Sequence, residues 1–476
     1  MIEVAIAARD PGPLRTIGAA DGDEPYDTLV RRARAMLRGR TLWHVNATAE
    51  GGGVAELLSS TLGYLCGDEI ETRWLVFEAD APFFEITKRI HNRLHGDPGD
   101  GGPLGDPERR LYDSTTAREL VGISRLVRSG DVVVVHDPQP VGLVPSLRAL
   151  GVTVVWTCHV GHDAPNRITR SAWAFLREDV RAAHAVTFTR STYAWEGLDG
   201  TGVHVIPPCI DPFSLKNVEM ETDHVNEILM ATGLLAGPSP SRVVFARADG
   251  SDAPILHRAE MTEQTPVPKG SPLVVQVSRW DALKDPIGVM DGFAEAPELA
   301  GAHLILAGPA PTSVADDPEA ERVLRSVRTR WAELRDEARG RVHLANLPTG
   351  DFEENAIVVN ALQRRADVVV QKSFAEGFGL TVTEAMWKAR PVVAARVGGI
   401  RDQIEDGVSG VLVDPRSPAS CAVAVAELLG DPSRAEALGL AAQRRVLDRF
   451  VPARYLGAYL ELFLRLSDRR PHDVGR

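Results

Sequence analysis

Short runs of consecutive apolar residues, separated by longer stretches with helix-forming composition, recur along the 476-residue chain. Runs of this kind are typical of strands that are buried on both faces of a parallel sheet, and their alternation with helices predicts doubly wound α/β domains. In the first half, the predicted strands are 42–45, 73–77, 131–136, 152–156 and 185–188. In the second half, the predicted strands are 273–277, 303–307, 342–344, 368–370 and 391–394.

The alternation is interrupted between about residues 213 and 270, where the chain is polar and irregular. A chain of this length also exceeds what one core usually organises, so we predict two facing Rossmann-like domains with a cleft between them. Ligands of such sheets bind beyond the carboxyl ends of the strands. The expected parts are an N-terminal extension (1–40), a first domain (41–215), a linker or insertion (216–270), a second domain (271–450) and a C-terminal helix packing across the domain junction (451–476).

Composition narrows the class of protein. The formal net charge is −12, which argues against a general role on nucleic acid or on a membrane surface. No apolar run approaches about 20 residues, and the N-terminus lacks the pattern of a signal peptide. The four cysteines show no CxxC spacing and fit reduced, mostly buried thiols. These features predict a cytoplasmic protein; the oligomeric state stays open, with a homodimer among the candidates.

Two glutamates, Glu376 and Glu384, stand eight positions apart around a glycine-containing turn. A strand-like segment (366–371) precedes them and a helix-forming run (383–388) follows. The start of a helix offers unpaired backbone N–H groups and a partial positive charge, which suit a phosphate. Because carboxylates on either side can hold hydroxyl groups, the segment predicts a site for a sugar joined to a phosphate. The alternative is a helix cap followed by an exposed helical charge.

Two cations, Arg279 and Lys284, follow the first predicted strand of the second half. Together they can neutralise a diphosphate, Arg279 through a forked contact and Lys284 as a point charge. The alternative is a pair of solvated surface cations. In the first half, three glycines (51–53) occupy a strand-to-helix turn, where backbone can approach a ligand closely. Their pattern is not GxGxxG, so a dinucleotide fingerprint is not supported.

These motifs resemble a known group. The Arg-x4-Lys pair, the Glu-x7-Glu segment and segments 397–400 and 407–413 are similar to those of retaining nucleotide-sugar glycosyltransferases of the GT-B architecture. A narrower resemblance is to trehalose glycosyltransferring synthases, and retaining trehalose phosphorylases share several of its segments. It runs from about residue 41 to the C-terminus and is carried by segments 43–56, 136–139, 277–281 and 284–286.

The resemblance implies a role for each matching position. Arg279 and Lys284 would grip the diphosphate, Glu376 would hold hydroxyls of the donor sugar, and Glu384 would bind the ribose. The implied catalytic residues are Arg279, Lys284, Glu376 and His159. The implied donor-binding residues are Gly52, Gly53, Gly377, Phe378, Gly379, Leu380, Thr381 and Glu384. The implied acceptor-binding residues are Asn46, His136, Asp137, Gln139 and Asp163.

The acceptor side departs from the pattern of the synthases. An acid is expected two positions after His159, but here it falls at Asp163, four positions after it. Glucose is the expected acceptor, and another polyol or a cyclitol stays open. For Asp137, a simple turn cap is the alternative to acceptor binding. Lys88 and His91 are further acceptor candidates that a solvated helix face explains equally well.

The resemblance implies transfer of glucose from NDP-glucose to a sugar acceptor with retention of configuration, the departing phosphate oxygen taking the acceptor proton. The expected partners are therefore NDP-glucose and a small sugar or polyol. No cofactor and no metal are expected, because the loop around His159 and His162 does not by itself provide ligand geometry. Two alternatives stay open. A trehalose phosphorylase would have no ribose for Glu384 to bind, and a sugar-nucleotide epimerase would need no acceptor.

Overall fold

The computed structural model describes residues 1–17, 24–49, 52–238, 240, 242–310 and 318–468. The strands in these ranges are β1 (Ile2–Val4), β2 (Leu42–Asn46), β3 (Thr72–Val76), β4 (Val132–His136), β5 (Thr153–Cys158), β6 (Ala185–Phe188), β7 (Gly202–Val205), β8 (Val244–Ala246), β9 (Asp252–Pro254), β10 (Glu260–Thr262), β11 (Leu273–Val277), β12 (His303–Pro309), β13 (Val342–Leu347), β14 (Val368–Gln371), β15 (Val392–Ala395) and β16 (Val411–Val413).

The helices in these ranges are α1 (Tyr26–Met36), α2 (Gly53–Gly67), α3 (Ala81–Leu94), α4 (Asp106–Ile123), α5 (Val144–Ala149), α6 (Arg167–Arg181), α7 (Thr222–Ala231), α8 (Pro286–Glu295), α9 (Pro318–Ala332), α10 (Asp336–Arg339), α11 (Phe352–Arg365), α12 (Leu380–Trp387), α13 (Ile400–Gln403), α14 (Pro418–Gly430), α15 (Pro432–Arg449) and α16 (Pro452–Asp468). None of the helices in the described ranges is long and apolar enough to cross a membrane.

The chain divides into two compact units, and each is described by itself. Unit 1 comprises Met1–Ile210 with Asp448–Arg476, and unit 2 comprises Asp211–Leu447. The sequence-based division placed residues 1–40 apart as an extension, whereas in the structure β1 joins the sheet of unit 1 and α1 packs against α16. Residues 216–270 were expected to be a linker, but α7 packs on α11 and β10 extends the sheet of unit 2.

The sheet of unit 1 has seven strands in the order β1-β3-β2-β4-β5-β6-β7. Its neighbouring strands run parallel, except that β1 is antiparallel to β3. The strand order reverses between β2 and β4, and ligands of doubly wound sheets bind at such a switch point. The carboxyl ends at this point carry Asn46 and His136.

The sheet of unit 2 also has seven strands, in the order β10-β13-β12-β11-β14-β15-β16. Among the strands that the structure describes in this sheet, only β10 is antiparallel to its neighbour. The switch point lies between β11 and β14, so the loops that follow these two strands share one edge of the sheet. The prediction of two doubly wound α/β sheets is confirmed.

Burial of both sheet faces explains the continuous apolar strands. In β4 all five residues are buried, with Val133 and Val135 in one core cluster and Val132 and Val134 in another. Helices cover both faces, because a strand that is apolar on both sides is stable only with both sides removed from water. Polar side chains in such strands therefore stand out, and Asn46 and His136 are two of them at carboxyl ends.

Candidate functional site

Two acidic caps shape the loop between β11 and α8. Asp281 accepts a hydrogen bond from the backbone N of Leu283 at 2.8 Å, which caps a short 3-10 turn, Ala282–Lys284. Asp285 adopts a left-handed conformation with φ of 48° and accepts from the backbone N of Gly288 at 3.0 Å. These two caps turn the chain sharply before α8 begins, and Lys284 lies between them.

Lys284 and Glu376 are in direct contact, although 92 positions separate them. Lys284 Nζ lies 2.5 Å from Glu376 Oε1, and the two side chains are only 16% and 9% exposed. The hydroxyl of Ser373 donates to the same carboxylate oxygen at 3.3 Å. The structure thus brings together one cation and one carboxylate of the predicted site at the switch point of unit 2.

Arg279 lies on the same loop and is far more open to solvent. Its side chain is 47% exposed, and Nη2 lies 3.3 Å from Asp281 Oδ2. A guanidinium in this position can turn toward a ligand phosphate, while Lys284 is held in place by Glu376. The two predicted cations therefore differ in exposure, and Lys284 is the one that is largely buried.

The segment from Gly377 to Thr381 forms the predicted turn into a helix. Gly379 precedes α12 with φ of 91°, a conformation that disfavours any side chain, and Leu380 is the first helical residue. Gly399 packs against this turn so closely that a Cβ there would lie 2.6 Å from Phe378 Cα. The N-terminus of α12 is therefore fixed beside Glu376, where its N–H groups can face an anion.

Gln403 pins the same turn and was not found from the sequence. Its Nε2 donates to the carbonyl oxygen of Phe378 at 2.5 Å, and its Oε1 accepts from the hydroxyl of Thr383 at 2.7 Å. Gln403 is fully buried at the end of α13. A glutamine in a short, irregular helix gives no sequence signal of such a role.

Glu384, the second glutamate, lies on α12 and is 2% exposed. Lys216 Nζ lies 3.5 Å from its Oε1. Lys216 comes from a segment that the sequence assigned to a linker, and neighbouring residues tie that segment down: Asn217 Oδ1 accepts from Lys388 Nζ at 2.9 Å. Lys216 is thus a further charged member of this site that sequence reasoning missed.

In unit 1, the glycine turn leads into α2. Gly52 has φ of 117° and Gly53 opens the helix, while Gly51 lies outside the described residues. Both glycines are exposed, and a Cβ at Gly52 would meet nothing within 4 Å. The structure therefore places Gly52 and Gly53 at an open helix N-terminus, as a phosphate or a hydroxyl oxygen would require.

Three stacked imidazoles cross the carboxyl edge of the sheet in unit 1. His44 Nδ1 lies 3.0 Å from His136 Nε2, and His136 Nδ1 lies 3.2 Å from His159 Nε2. The ring planes of the two pairs are 21° and 12° apart. Burial lowers the pKa of His44 to about 3; burial and the adjacent imidazoles lower the pKa of His136 well below its ordinary value. Burial also lowers the pKa of His159, although Asp137 opposes this.

Asp137 and Gln139 lie just beyond β4. Asp137 has φ of 62°, and its Oδ1 accepts from the backbone N of His159 at 2.8 Å. Burial raises the pKa of its carboxyl group. The side-chain oxygen of Gln139 is buried without a hydrogen-bond partner in the described part of the chain. Both side chains therefore retain hydrogen-bond acceptor capacity, and Asp137 does so beside His159.

Two predicted acceptor residues are occupied by contacts within the protein. His136 is fully buried, and both of its ring nitrogens are engaged by His44 and His159. The amide of Asn46 accepts from the indole of Trp74 at 2.7 Å and donates to the carbonyl oxygen of Thr48 at 2.6 Å. For both residues the structure favours a supporting role behind the site over direct contact with an acceptor.

Asp163, the displaced acid, is paired with a residue that the sequence did not suggest. Arg190 Nη1 lies 2.5 Å from Asp163 Oδ1, and Arg190 is 7% exposed. The pair links the loop after β5 to the loop after β6. Lys88 is an exposed residue of α3, and His91 of the same helix packs edge-on against His95.

The two units offer different chemistry to a ligand. Unit 2 combines cations, a helix N-terminus and two buried carboxylates, which together suit a sugar diphosphate. Unit 1 combines neutral imidazoles, a carboxylate and an amide, which suit uncharged hydroxyl groups. Among the described residues, no group of three or more histidines, cysteines, aspartates or glutamates is arranged to hold a metal ion.

Comparison with known families matches both halves of the chain. Residues 44–195 match the family described as the N-terminal domain of trehalose synthase, and residues 257–445 match glycosyl transferases group 1. The trehalose synthase of Rubrobacter xylanophilus is 34% identical over 93% of this chain and 96% of its own. That of Pyrococcus horikoshii is 33% identical over 94% of each chain. A trehalose phosphorylase of Grifola frondosa is 24% identical over 90% of this chain and 58% of its own.

Solved structures with the same fold include glycosyltransferases. A UDP-forming α,α-trehalose-phosphate synthase from Burkholderia xenovorans aligns with a TM-score of 0.65 at 14% identity, covering 90% of this chain and 99% of its own. Anabaena Alr3699/HepE, solved with UDP and glucose, aligns with a TM-score of 0.60 at 17% identity, covering 89% and 99%. At these identities the likeness supports the fold alone, and the predicted GT-B architecture is confirmed.

Proposed function

The chain belongs to the trehalose synthase family of group 1 glycosyltransferases, and from that membership we propose that it transfers glucose from NDP-glucose to a sugar acceptor with retention of configuration. Glucose is the proposed acceptor, so the proposed product is trehalose. Unit 2 handles the donor and unit 1 contributes the acceptor-side groups.

The observation that carries the proposal is the contact of Lys284 with Glu376 beside the N-terminus of α12. Lys284 Nζ and Glu376 Oε1 are 2.5 Å apart in a largely buried position, and the glycine turn follows Glu376 directly. A phosphate group at the helix start meets backbone N–H groups and a fixed ammonium charge, while the sugar hydroxyls meet Glu376. A sugar diphosphate is the ligand that uses all of these groups at once.

Catalysis in this proposal is electrostatic. As the bond to the sugar breaks, negative charge grows on the departing diphosphate, and Arg279, Lys284 and the N–H groups of Gly377 to Thr381 stabilise it. Glu376 orients the sugar through its hydroxyls. The departing phosphate oxygen takes the proton of the acceptor hydroxyl, so no side chain is needed as the base.

Glu384 and Lys216 are assigned to the nucleoside end of the donor. Glu384 is a buried carboxylate that can accept hydrogen bonds from two ribose hydroxyls, and Lys216 orients this carboxylate. On the acceptor side we assign Asp137, Gln139 and Asp163, with His159 as a catalytic residue near the donor sugar and with Gly52 and Gly53 at a phosphate or acceptor oxygen. No metal or other cofactor has a part in the proposal, and the cytoplasm is the proposed location.

The test is a panel of NDP-glucoses incubated with the protein and with glucose, other polyols or cyclitols. The expected result is release of NDP together with a disaccharide that mass spectrometry identifies. Formation of sugar 1-phosphate from trehalose and inorganic phosphate, without binding of NDP, would replace the proposal by a phosphorylase. Conversion of the NDP-sugar with no acceptor present would replace it by an epimerase.

A further inference from the structure

The hydrogen bonds that join His44, His136 and His159 into a row limit where the ring protons of these three histidines can be. A neutral imidazole carries one proton, so it donates through one ring nitrogen and accepts through the other. His136 is bonded on both sides, to His44 at 3.0 Å and to His159 at 3.2 Å. If all three rings are neutral, His136 must donate to one neighbour and accept from the other. Only two arrangements of protons satisfy both hydrogen bonds, and in each the three rings share the same tautomer.

The rings are neutral because the site is buried. His44 and His136 are 5% and 0% exposed, and the pKa values of all three histidines are lowered, chiefly by burial. The row therefore acts at neutral pH as a chain of neutral donors and acceptors.

The two ends of the row distinguish the two arrangements. At one end, His44 Nε2 is buried and has no hydrogen-bond partner in the described ranges. It lies beside a space of about 10 Å³ that is lined mostly by apolar side chains such as Leu62, Leu65 and Phe463, with Thr61, Tyr455 and Tyr459 also on its lining. An unpaired lone pair there is better tolerated than an unpaired N–H group. This favours the arrangement in which His44 is protonated on Nδ1 and donates to His136.

At the other end, the carboxylate of Asp137 binds the backbone N–H of His159 at 2.8 Å. Nδ1 is bonded to Cγ and is thus the ring nitrogen nearer to that backbone, while Nε2 faces His136. A negative charge favours the arrangement whose N–H dipoles all point toward it. Both ends of the row therefore select the same tautomer, with the proton of His159 on Nδ1.

We propose that His44 and His136 are positioning residues that fix His159 as the Nδ1-protonated neutral tautomer, so that His159 is a hydrogen-bond donor to an oxygen of the substrate and cannot act as a base. Nδ1 of His159 makes no hydrogen bond within the described part of the chain, and its residue is half-buried, so this N–H is open to a ligand. A hydroxyl or phosphate oxygen is the matching chemistry. The contact of His159 with substrate rests on the proposed function, whereas the tautomer of His159 does not depend on it.

The first test is nitrogen NMR of wild-type protein with ring-labelled histidine at neutral pH. The protein has thirteen histidines, and the signals of His159 are identified by their loss in His159→Gln. We expect a protonated Nδ1 and an unprotonated Nε2 for His159, with the same tautomer at His44 and His136. A protonated Nε2 at His159, a charged ring, or different tautomers among the three histidines would overturn the proposal.

The second test compares His44→Leu with His44→Asn. Leucine removes the first donor of the row, whereas the asparagine amide can donate from nearly the position of Nδ1. We expect His44→Leu to give His159 both tautomers and to lower kcat/KM for transfer by about tenfold, as for a displaced positioning group. His44→Asn should restore the single tautomer of His159 and the wild-type kcat/KM. The affinity for NDP should stay at the wild-type value in either variant.

The outcomes separate this proposal from the function on which it rests. If His44→Leu leaves the tautomer of His159 unchanged, the row does not position His159, whatever happens to the activity. If the tautomer changes but kcat/KM does not, the row does fix the tautomer of His159, and the assignment of His159 to the transfer reaction is wrong. Loss of NDP binding or of the far-ultraviolet circular dichroism would mark misfolding, and the wild-type spectrum then decides the question.

Discussion

At the scale of residues, the donor site depends on charges that are held at fixed positions. Lys284 is oriented by Glu376, and Glu384 faces Lys216 at 3.5 Å, so each carboxylate has a cation beside it. Such pairing in buried surroundings limits the motion of both members. A group that is already oriented costs little reorganisation when charge develops on a leaving group.

The diphosphate contacts can be tested one cation at a time. Lys284→Ala and Arg279→Ala should each lower kcat by about a hundredfold or more, on the scale of losing one oriented electrostatic donor. Affinity for NDP should weaken as well. Lys269→Ala, which removes an exposed lysine of the same unit, is the matched control. Near-normal turnover in both test variants would remove the two cations from the mechanism.

The ribose contact separates transferase from phosphorylase. Glu384→Ala should weaken binding of NDP by about 1–3 kcal/mol, because ribose hydroxyls would lose their acceptor in a buried site. Calorimetric titration with NDP measures this, and Glu321→Ala, which changes an exposed glutamate of the same unit, is the control. Equal affinity in Glu384→Ala and wild type would mean that no ribose lies against Glu384.

At the scale of elements, the start of α12 decides whether a phosphate can be bound. Gly379 allows the turn because φ of 91° is accessible to glycine, and Gly399 and Gln403 hold the turn from the other side. The sequence predicted this strand, turn and helix because apolar and glycine positions are local signals. It could not identify Gln403, because its contact with Phe378 is formed only when α13 packs beside the turn.

Gly379→Ala should disturb the helix start. A side chain in a left-handed conformation costs about 1–2 kcal/mol, so the turn should shift and the affinity for NDP should fall severalfold. Gly350→Ala is the control, because a Cβ there meets nothing within 4 Å and the residue does not have positive φ. Calorimetric titration with NDP should therefore show a loss of affinity in Gly379→Ala and wild-type affinity in Gly350→Ala. Similar losses of affinity in both variants would indicate a general effect of substitution.

The row of histidines predicts how the stability of unit 1 depends on pH. The pKa of His44 is about 3 in the folded protein, against an ordinary value of 6.5, and the pKa of His136 is also lowered. Below about pH 6.5 the unfolded chain binds protons that the folded chain does not, so stability is complete above that pH and falls as the pH decreases. Asp137 has the opposite effect on stability. Burial raises its pKa, so in the acidic range the folded chain binds a proton there that the unfolded chain has lost, and stability gains as the pH decreases.

We expect the hydrogen-exchange protection of amides in β4, corrected for intrinsic rates, to fall as the pH decreases from about 7 to about 5. The decrease should be up to about 1.4 kcal/mol per pH unit for each buried histidine. In His44→Leu the slope of the protection free energy against pH should be smaller by the contribution of about one proton. If wild type and His44→Leu show the same dependence, the buried state of His44 does not contribute to it.

At the scale of the whole molecule, two units repeat one plan: a parallel sheet with helices on both faces and one antiparallel edge strand. The sequence predicted the inner strands, because their apolar runs are what burial on both faces requires. It missed the edge strands β1, β7, β10 and β16, which are only three or four residues long. It also missed Lys216 and the row of histidines, because both depend on packing and register: His136 pairs with Thr157, two residues before His159.

The central claim is that this chain moves a hexose from a nucleotide donor to an acceptor with retention of configuration, and time-resolved proton NMR of the products tests it most directly. The protein is incubated with NDP-α-glucose and glucose, and the first anomeric signals of the product are recorded before any secondary change. The account predicts an α-linked, non-reducing disaccharide that appears together with an equal amount of NDP. A β-linked first product, or NDP release that yields only free glucose in the presence of every acceptor of the panel, would contradict it.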